Sequence, residues 1–230
     1  AEGAAVDGSC LTVSGACSVT LSSQNPRPAD GRVTVLATAV GEESFIDSET
    51  SNGQFDDAEL PFLQDLDEAF RDDNENGVRD SNEPYVNFNE NPEATGGFDL
   101  KNGKFDGLLC KGPNLCSPSS TITLRESIVI VLSGSGLIVN IQPVTIDIYN
   151  KVETVIVSVS DQRGQVPPAG TTISASTTIG NLQGTTSYTQ ISTNLSGPAI
   201  YAFRIGRGAA NLKGSIERSA TLVLFQIDVA

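Results

Sequence analysis

The sequence predicts an all-β protein, and three observations carry that expectation. Outside one acidic block the hydrophobic period is two, written in Val, Ile, Thr and Ser. Turn signals such as Asp161-Gln162-Arg163-Gly164 and Ser196-Gly197-Pro198 divide these runs, at the spacing of roughly 8–12 residues found in two-sheet folds. No long amphipathic helical pattern interrupts them. With 230 residues, 38% of them apolar and 18% charged, the chain can bury one large core or two ordinary ones and is not compositionally disordered.

Taken in order, the first strand is expected over 31–40, where Val33, Val35, Ala37 and Ala39 would share one face. Strands follow over 121–132, 137–141, 144–149 and 153–160. Others are expected over 171–176, 185–191, 199–205, 212–217 and 220–229. Between the first strand and the second, Leu60-Pro61-Phe62 and Glu83-Pro84-Tyr85 interrupt any helix, leaving one short helical turn at 64–70. The longest purely aliphatic run, 128–132, is too short to span a membrane.

The charge is concentrated. Residues 42–107 hold 19 of the 28 acidic residues and 4 of the 14 basic ones, a net of −15, whereas the remainder is near neutral. A block this acidic is ordinarily a solvated linker. This one is rich in Phe, and its acids recur in a fixed order. Asp72-Asp73-Asn74-Glu75-Asn76-Gly77-Val78-Arg79-Asp80-Ser81-Asn82-Glu83 fits the twelve-residue calcium loop of an EF-hand. Asp72, Asn74 and Asn76 take positions 1, 3 and 5, and Gly77 makes the turn at 6. Val78 offers its carbonyl at 7, Asp80 stands at 9, and Glu83 supplies the bidentate carboxylate at 12. Calcium needs six to eight oxygens at once, which is why short oxygen-bearing side chains alternate here.

Two less regular copies flank it. Upstream, the ligands would be Asp47, Glu49, Asn52, Asp56 and Glu59, with the Gln54 carbonyl and one residue inserted before Asn52-Gly53. Downstream, Asn87, Asn89 and Asn91 reproduce positions 1, 3 and 5, Pro92 replaces the glycine, and Asp99, Asn102 and Asp106 resume the pattern. Each loop follows the order Glu-x-aromatic-x-Asp/Asn, at Glu43-x-Phe45-x-Asp47, Glu68-x-Phe70-x-Asp72 and Glu83-x-Tyr85-x-Asn87. The aromatic would pack inward, and Glu43 and Glu68 would reach the ion of the loop each precedes. Glu83 would close one loop and open the next, so that neighbouring ions share a carboxylate. Two or three calcium ions are therefore expected, in a structural role, because loops without long flanking helices cannot open as a sensor does. Without metal, the uncompensated charge should swell the segment.

The four cysteines stand in two close pairs, Cys10 with Cys17 and Cys110 with Cys116. Four cysteines allow three connectivities, of which local pairing is the simplest. The spacings do not fit a zinc ribbon, and disulfides predict an oxidising, extracytoplasmic setting. The absence of His excludes a Ser-His-Asp or Cys-His triad and a His-based zinc site. A net charge of −14 repels phosphate backbones, so no nucleic-acid partner is expected. The clustered carboxylates could form a glycosidase pair. Their calcium-loop order explains them better, and with no Trp and 4 Tyr there is no sugar-stacking platform; no enzyme is expected. Gly134-Ser135-Gly136 opens no helix and cradles no phosphate, and Asn194-Leu195-Ser196 matches a glycosylation sequon only by a pattern common by chance. The chain contains no Met, which predicts a processed or excised product.

Ser133-Gly134-Ser135-Gly136 marks the expected domain junction. Residues 136–230, with seven or more strands, would make one complete immunoglobulin-like sandwich. Residues 1–135 would make another that lacks its first strands, with the calcium-binding insertion at 42–107. Ser22-Ser23-Gln24-Asn25-Pro26-Arg27-Pro28 and the run from Gly31-Arg32-Val33-Thr34-Val35 to Glu43-Ser44-Phe45 resemble bacterial immunoglobulin-like domains of the invasin/intimin type. The stretch from Val155 to Asp161, followed by Pro167-Pro168-Ala169-Gly170-Thr171-Thr172-Ile173, resembles the opening half of the next such domain. The resemblance implies tandem sandwich modules at the surface of Gram-negative bacteria, in adhesins or stalks. Its partners would be neighbouring immunoglobulin-like domains, identical subunits or a surface receptor, with no insertion into the membrane. A self-assembling filament subunit, completed by a strand from its neighbour, is the second expectation.

Overall fold

A computed structural model describes residues 1–47, 51–88, 97–112, 114–149, 151–208, 219–220 and 223–228. Its described elements are β-strands in antiparallel sheets and one 3-10 turn, so the protein is all-β, as its period-two pattern predicts. The chain forms two compact units, one of residues 1–2 and 34–129, the other of residues 3–33 and 130–230. The expected junction at 135/136 falls inside the second unit.

The second unit opens with two short strands, β1 (Ala4–Val6) and β2 (Leu21–Ser23), which pair antiparallel. Cys10 and Cys17, on the chain between them, are joined as a disulfide. The two larger sheets come later. β5 (Leu137–Gln142), β7 (Glu153–Asp161), β11 (Ala199–Gly206) and β9 (Asn181–Gln183) form one in the order β5-β7-β11-β9. β10 (Ser187–Thr189), β8 (Thr172–Thr177) and β13 (Val223–Asp228) form the other in the order β10-β8-β13. A further short pair joins β6 (Ile146–Asp147) to β12 (Ser219–Ala220).

Alternation buries one face of β7, β8 and β11. Val155, Val157 and Val159 of β7, Tyr201, Phe203 and Ile205 of β11, and Ile173 and Ala175 of β8 meet with Ile146 and Ile148 in one apolar core. The turn after β7 is closed by its own acid. Asp161 is buried, and its carboxylate accepts the amides of Gly134, Arg163 and Gln165 at 2.8–2.9 Å. This is the Asp-x-x-Gly turn foreseen at 161–164, with Gly164 at a φ of 81°.

The first unit is built on β3 (Arg32–Gly41) and β4 (Ile122–Val131), which pair as a two-stranded sheet. The divisions between the units fall within these two strands. Val33 is buried, but Ala37 and Ala39 are exposed, so burial in β3 follows position along the strand instead of the shared face expected. Among the described residues, nearly everything between β3 and β4 is loop.

Helical structure falls earlier than expected. The 3-10 turn is Leu60–Phe62, with Pro61 in its first turn, and Leu63 is already extended at a ψ of 130°. Residues 64–70 are not helical because their amides are committed elsewhere. Gln64 N–H donates to the Ser44 carbonyl, Leu66 N–H to the Glu43 carboxylate and Glu68 N–H to the Asp99 carbonyl. Of the expected strands, 144–149 shortens to Ile146–Asp147, since the Tyr149 amide turns back onto the Asp147 side chain. Strand 185–191 shortens to Ser187–Thr189, and 212–217 lies outside the described residues. Strands β1, β2, β9 and β12 span two or three residues each, too few to establish a period.

Truncating Phe203, fully buried in the core of the second unit, should cost about 3–5 kcal/mol. Equilibrium urea unfolding of Phe203→Ala should show the unit's midpoint falling accordingly; an unchanged midpoint would contradict the packing described.

Candidate metal-binding loops

The loop at 72–83 is shaped by short oxygen side chains that receive the backbone. Asp72 accepts the amides of Asn76 at 3.1 Å and Gly77 at 2.6 Å. Asn76 accepts the Val78 amide at 2.7 Å. Gly77 takes a φ of 80°, a conformation that a Cβ would strain. The Asp80 carboxylate is held by the side-chain amides of Asn74 at 2.6 Å and Asn76 at 3.1 Å. At the end of the loop, Glu83 turns inward. Its amide donates to the Asp80 carbonyl at 3.0 Å, and its carboxylate accepts the amides of Asp80 at 2.9 Å and Asp73 at 2.7 Å.

The upstream loop repeats this. The Gly53 amide donates to Asp47 at 2.7 Å and the Gln54 amide to Asn52 at 2.7 Å. Glu59 closes the loop, its amide on the Asp56 carbonyl and its carboxylate accepting the Asp56 amide, both at 3.2 Å. Glu49, Asn89 and Asn91 lie outside the described residues.

Glu43 and Glu68 are held by loops other than those they precede. The Glu43 amide donates to the Asp106 carbonyl, and its carboxylate accepts the amides of Asp106 at 3.0 Å and Leu66 at 2.8 Å. The Glu68 amide donates to the Asp99 carbonyl, and its carboxylate accepts the amides of Asp99 at 2.9 Å and Phe88, the residue after Asn87, at 2.6 Å. The expected third loop is therefore divided: Asp99 goes with Glu68, and Asn102 and Asp106 go with Glu43. Two aspartates that the sequence reading passed over enter here. Asp65 accepts the Gly103 amide at 2.6 Å and Asp67 the Lys101 amide at 2.8 Å. Their Asp-x-Asp spacing is a signal in the sequence, but no Asn-Gly follows it locally.

Aromatic rings bind the loops in pairs. Phe45, Phe55 and Phe105 meet with centroids 4.9–5.3 Å apart. Phe98 meets Phe70 and Tyr85 edge-on, and the Arg79 guanidinium lies over Tyr85 and Phe98. The aromatics of the Glu-x-aromatic-x-Asp/Asn order thus pack inward, worth about 0.5–1.5 kcal/mol per pair beyond burial. Cys110 and Cys116 form the second disulfide, as local pairing requires. The backbone on either side of each cysteine brackets one ring-bearing residue: Leu109 and Lys111 bond Phe55, and Leu115 and Ser117 bond Phe105. Thr34 on β3 and Arg125 on β4 fasten the loops from below, donating to the carbonyls of Asp72 and Glu68.

Glu43, Glu59, Glu68 and Glu83 are all buried, with 0–5% of their surface exposed, and none forms an ion pair among the described residues. Burial pushes the Glu43 carboxyl up to about 7. It also raises Asp106 and Glu59 above the ordinary carboxylate range. Among the described residues no three Asp, Glu or Cys side chains already converge tightly enough to hold a metal; many of their oxygens are turned to backbone and side-chain amides, while Asp47 Oδ1, Glu59 Oε1, Asp99 Oδ2 and both carboxylate oxygens of Asp106 are buried without a hydrogen-bond partner. Much of a calcium loop's donor set is Asn and carbonyl oxygen, however, and those are present in order.

A carboxyl whose pKa is raised by folding favours the fold while protonated and opposes it once ionised. In chelator, thermal stability should therefore be greatest near the ordinary carboxylate range and fall as pH rises through about 7, the Glu43 value. Melting curves across that range check this; stability that climbs with pH in chelator would contradict it.

Comparison with known proteins gives no match: no family model, no curated protein and no solved structure is similar to this chain.

Proposed function

We propose that the chain is a calcium-rigidified structural module of a secreted or surface-exposed bacterial protein, an adhesin or stalk built of immunoglobulin-like sandwiches. The observation that most supports this is the loop at 72–83, where position-specific side chains and a left-handed glycine stand in calcium-loop order and end in a buried Glu83 that forms no ion pair among the described residues. Calcium would take oxygens from Asp72, Asn74, Asn76, the Val78 carbonyl, Asp80 and Glu83, and in the upstream loop from Asp47, Asn52, the Gln54 carbonyl, Asp56 and Glu59. Two disulfides fit an oxidising compartment. No described helix is long and apolar enough to cross a membrane. The assignment to the invasin/intimin type rests on the quoted sequence resemblance, the Gram-negative surface location follows from that assignment, and no catalytic role is proposed.

A filament subunit is the second reading. It is favoured by the β3–β4 sheet, in which β4 pairs with no further strand among the described residues and so leaves an edge that a neighbour's strand could extend. Polymerisation of the purified chain, followed by sedimentation, separates the two readings.

Limited proteolysis with intact-mass analysis tests the calcium role. In millimolar calcium, residues 42–107 should resist cleavage and ions should remain bound in native mass spectra; chelator should open the segment. Asp72→Ala should lose one ion. Cleavage and mass indifferent to calcium would end the proposal.

A further inference from the structure

We propose a third calcium site that no continuous stretch of sequence encodes, assembled from Asp65 and Asp67, from Asn102, the Lys104 carbonyl and Asp106, and from Glu43. The proposal rests on the calcium reading of the loop at 72–83 and extends it to residues that are distant along the chain.

The hydrogen bonds of the continuous loop can be laid over those of the assembled one. In the first, Gly77 N–H reaches Asp72 at 2.6 Å; in the second, Gly103 N–H reaches Asp65 at 2.6 Å. Val78 N–H reaches Asn76 at 2.7 Å, and Lys104 N–H reaches Asn102 at 2.7 Å. The Glu83 amide meets the Asp80 carbonyl at 3.0 Å, and the Glu43 amide meets the Asp106 carbonyl at 3.0 Å. The Glu83 carboxylate takes the amides of Asp80 and Asp73 at 2.9 and 2.7 Å; the Glu43 carboxylate takes those of Asp106 and Leu66 at 3.0 and 2.8 Å. Leu66 follows Asp65 as Asp73 follows Asp72. Gly103 has a φ of 73°, against 80° at Gly77. Five bonds and one turn therefore place Asp65, Asp67, Asn102, Lys104, Asp106 and Glu43 at positions 1, 3, 5, 7, 9 and 12. Between Asp67 and Lys101 the chain leaves to build the loop at 72–83 and then returns.

Hydrogen bonds alone could be the whole purpose of such a loop, and a second observation argues otherwise. Both carboxylate oxygens of Asp106 are buried without a hydrogen-bond partner, in a residue 1% exposed. Ser117 lies near enough to offset part of the burial cost electrostatically, but outside hydrogen-bonding geometry. In the continuous loop the equivalent Asp80 is held by the amide groups of Asn74 and Asn76. Here position 3 is Asp67, which has no proton to donate. Asp65 and Asp106 each act against the Glu43 carboxylate charge, and Asp65 acts against that of Asp106, so the negative charge of these neighbours is uncompensated. Asp106, buried without a donor beside the Glu43 and Asp65 carboxylates, keeps its charge only if a cation balances it. Four acids and two neutral oxygens at these loop positions suit a hard divalent ion of calcium's size.

The test is calcium stoichiometry of the full chain, by native mass spectrometry and titration calorimetry, for wild type, Asp65→Ala, Asp106→Asn and Asp72→Ala. Asp65→Ala and Asp106→Asn should each bind one ion fewer than wild type, and Asp65→Ala combined with Asp72→Ala two fewer. Asp106→Asn is nearly isosteric, so it remains informative if Asp65→Ala fails to fold. If Asp106→Asn keeps the full count and affinity while Asp72→Ala loses an ion, the assembled site is wrong and the calcium reading stands. If wild type binds no calcium, both are wrong.

Discussion

Everything between β3 and β4 depends on how a carboxylate can be buried. Among its described residues the loop segment has few aliphatic side chains facing inward, and its fixed points are four glutamates, each with its amide on the carbonyl of an aspartate. Three of them also use both carboxylate oxygens to seize two backbone amides from different places in the segment. A hydrogen bond to a charged group contributes roughly 1.5–3 kcal/mol, and leaving a buried charge short of partners costs more than that. The glutamates therefore act as cross-links only while their charge is balanced. No guanidinium or ammonium is paired with any of them among the described residues. A cation bound in the loops would turn an unfavourable cluster of acids into the centre of the fold.

The other features of the segment multiply that constraint. The ring clusters join loops in pairs, so a displacement in one is felt in its partner. The disulfide at 110–116 stiffens the strip of backbone that holds Phe55 and Phe105. These are the residues immediately before Asp56 and Asp106, so the strip fixes the aspartates on which Glu59 and Glu43 depend. Arg125 reaches the Glu68 carbonyl and stacks on Phe70, which carries the register of β4 into the second pair of loops. A rigid strand, a ring and a carboxylate thus meet at each fixed point.

Local spacing is what made parts of this readable in the sequence. Asp72 to Glu83 lie within one turn of chain, so the order of residue types is the order of contacts. Strands with several alternating β-branched residues, such as Val155 to Val159, were equally plain. The short strands β1, β2, β9 and β12 carry too few residues for a period, and β3 buries Val33 but not Ala37 because its environment changes along its length. The recurrence of glutamate four residues before an acid or amide was visible. Its meaning was not, since Glu43 and Glu68 serve loops completed far downstream. Asp65 and Asp67 could not be joined to Asn102-Gly103 by spacing alone, because the intervening chain builds another loop.

That nesting has an energetic consequence. Glu83 reaches an amide 10 residues away, whereas Glu43 reaches the Asp106 amide across 63. Loop-closure entropy scales as about (3/2)RT ln n, so the longer closure costs about 1.6 kcal/mol more if each forms alone. It does not form alone. Once the loop at 72–83 has closed, the chain between Asp67 and Lys101 is already shortened, and the pairing of Phe70 with Tyr85 and the disulfide strip restrict what remains. If the proposed sites bind calcium, the continuous loop would capture an ion from an unfolded segment, while the assembled one would be made ready by the closure of its neighbours. Closure of the segment would then be ordered, local loops first and the distant Glu43 clasp last. Because that clasp ties residue 43, two positions beyond β3, to residue 106, it is the step that fastens the loop segment to the strand framework as a unit.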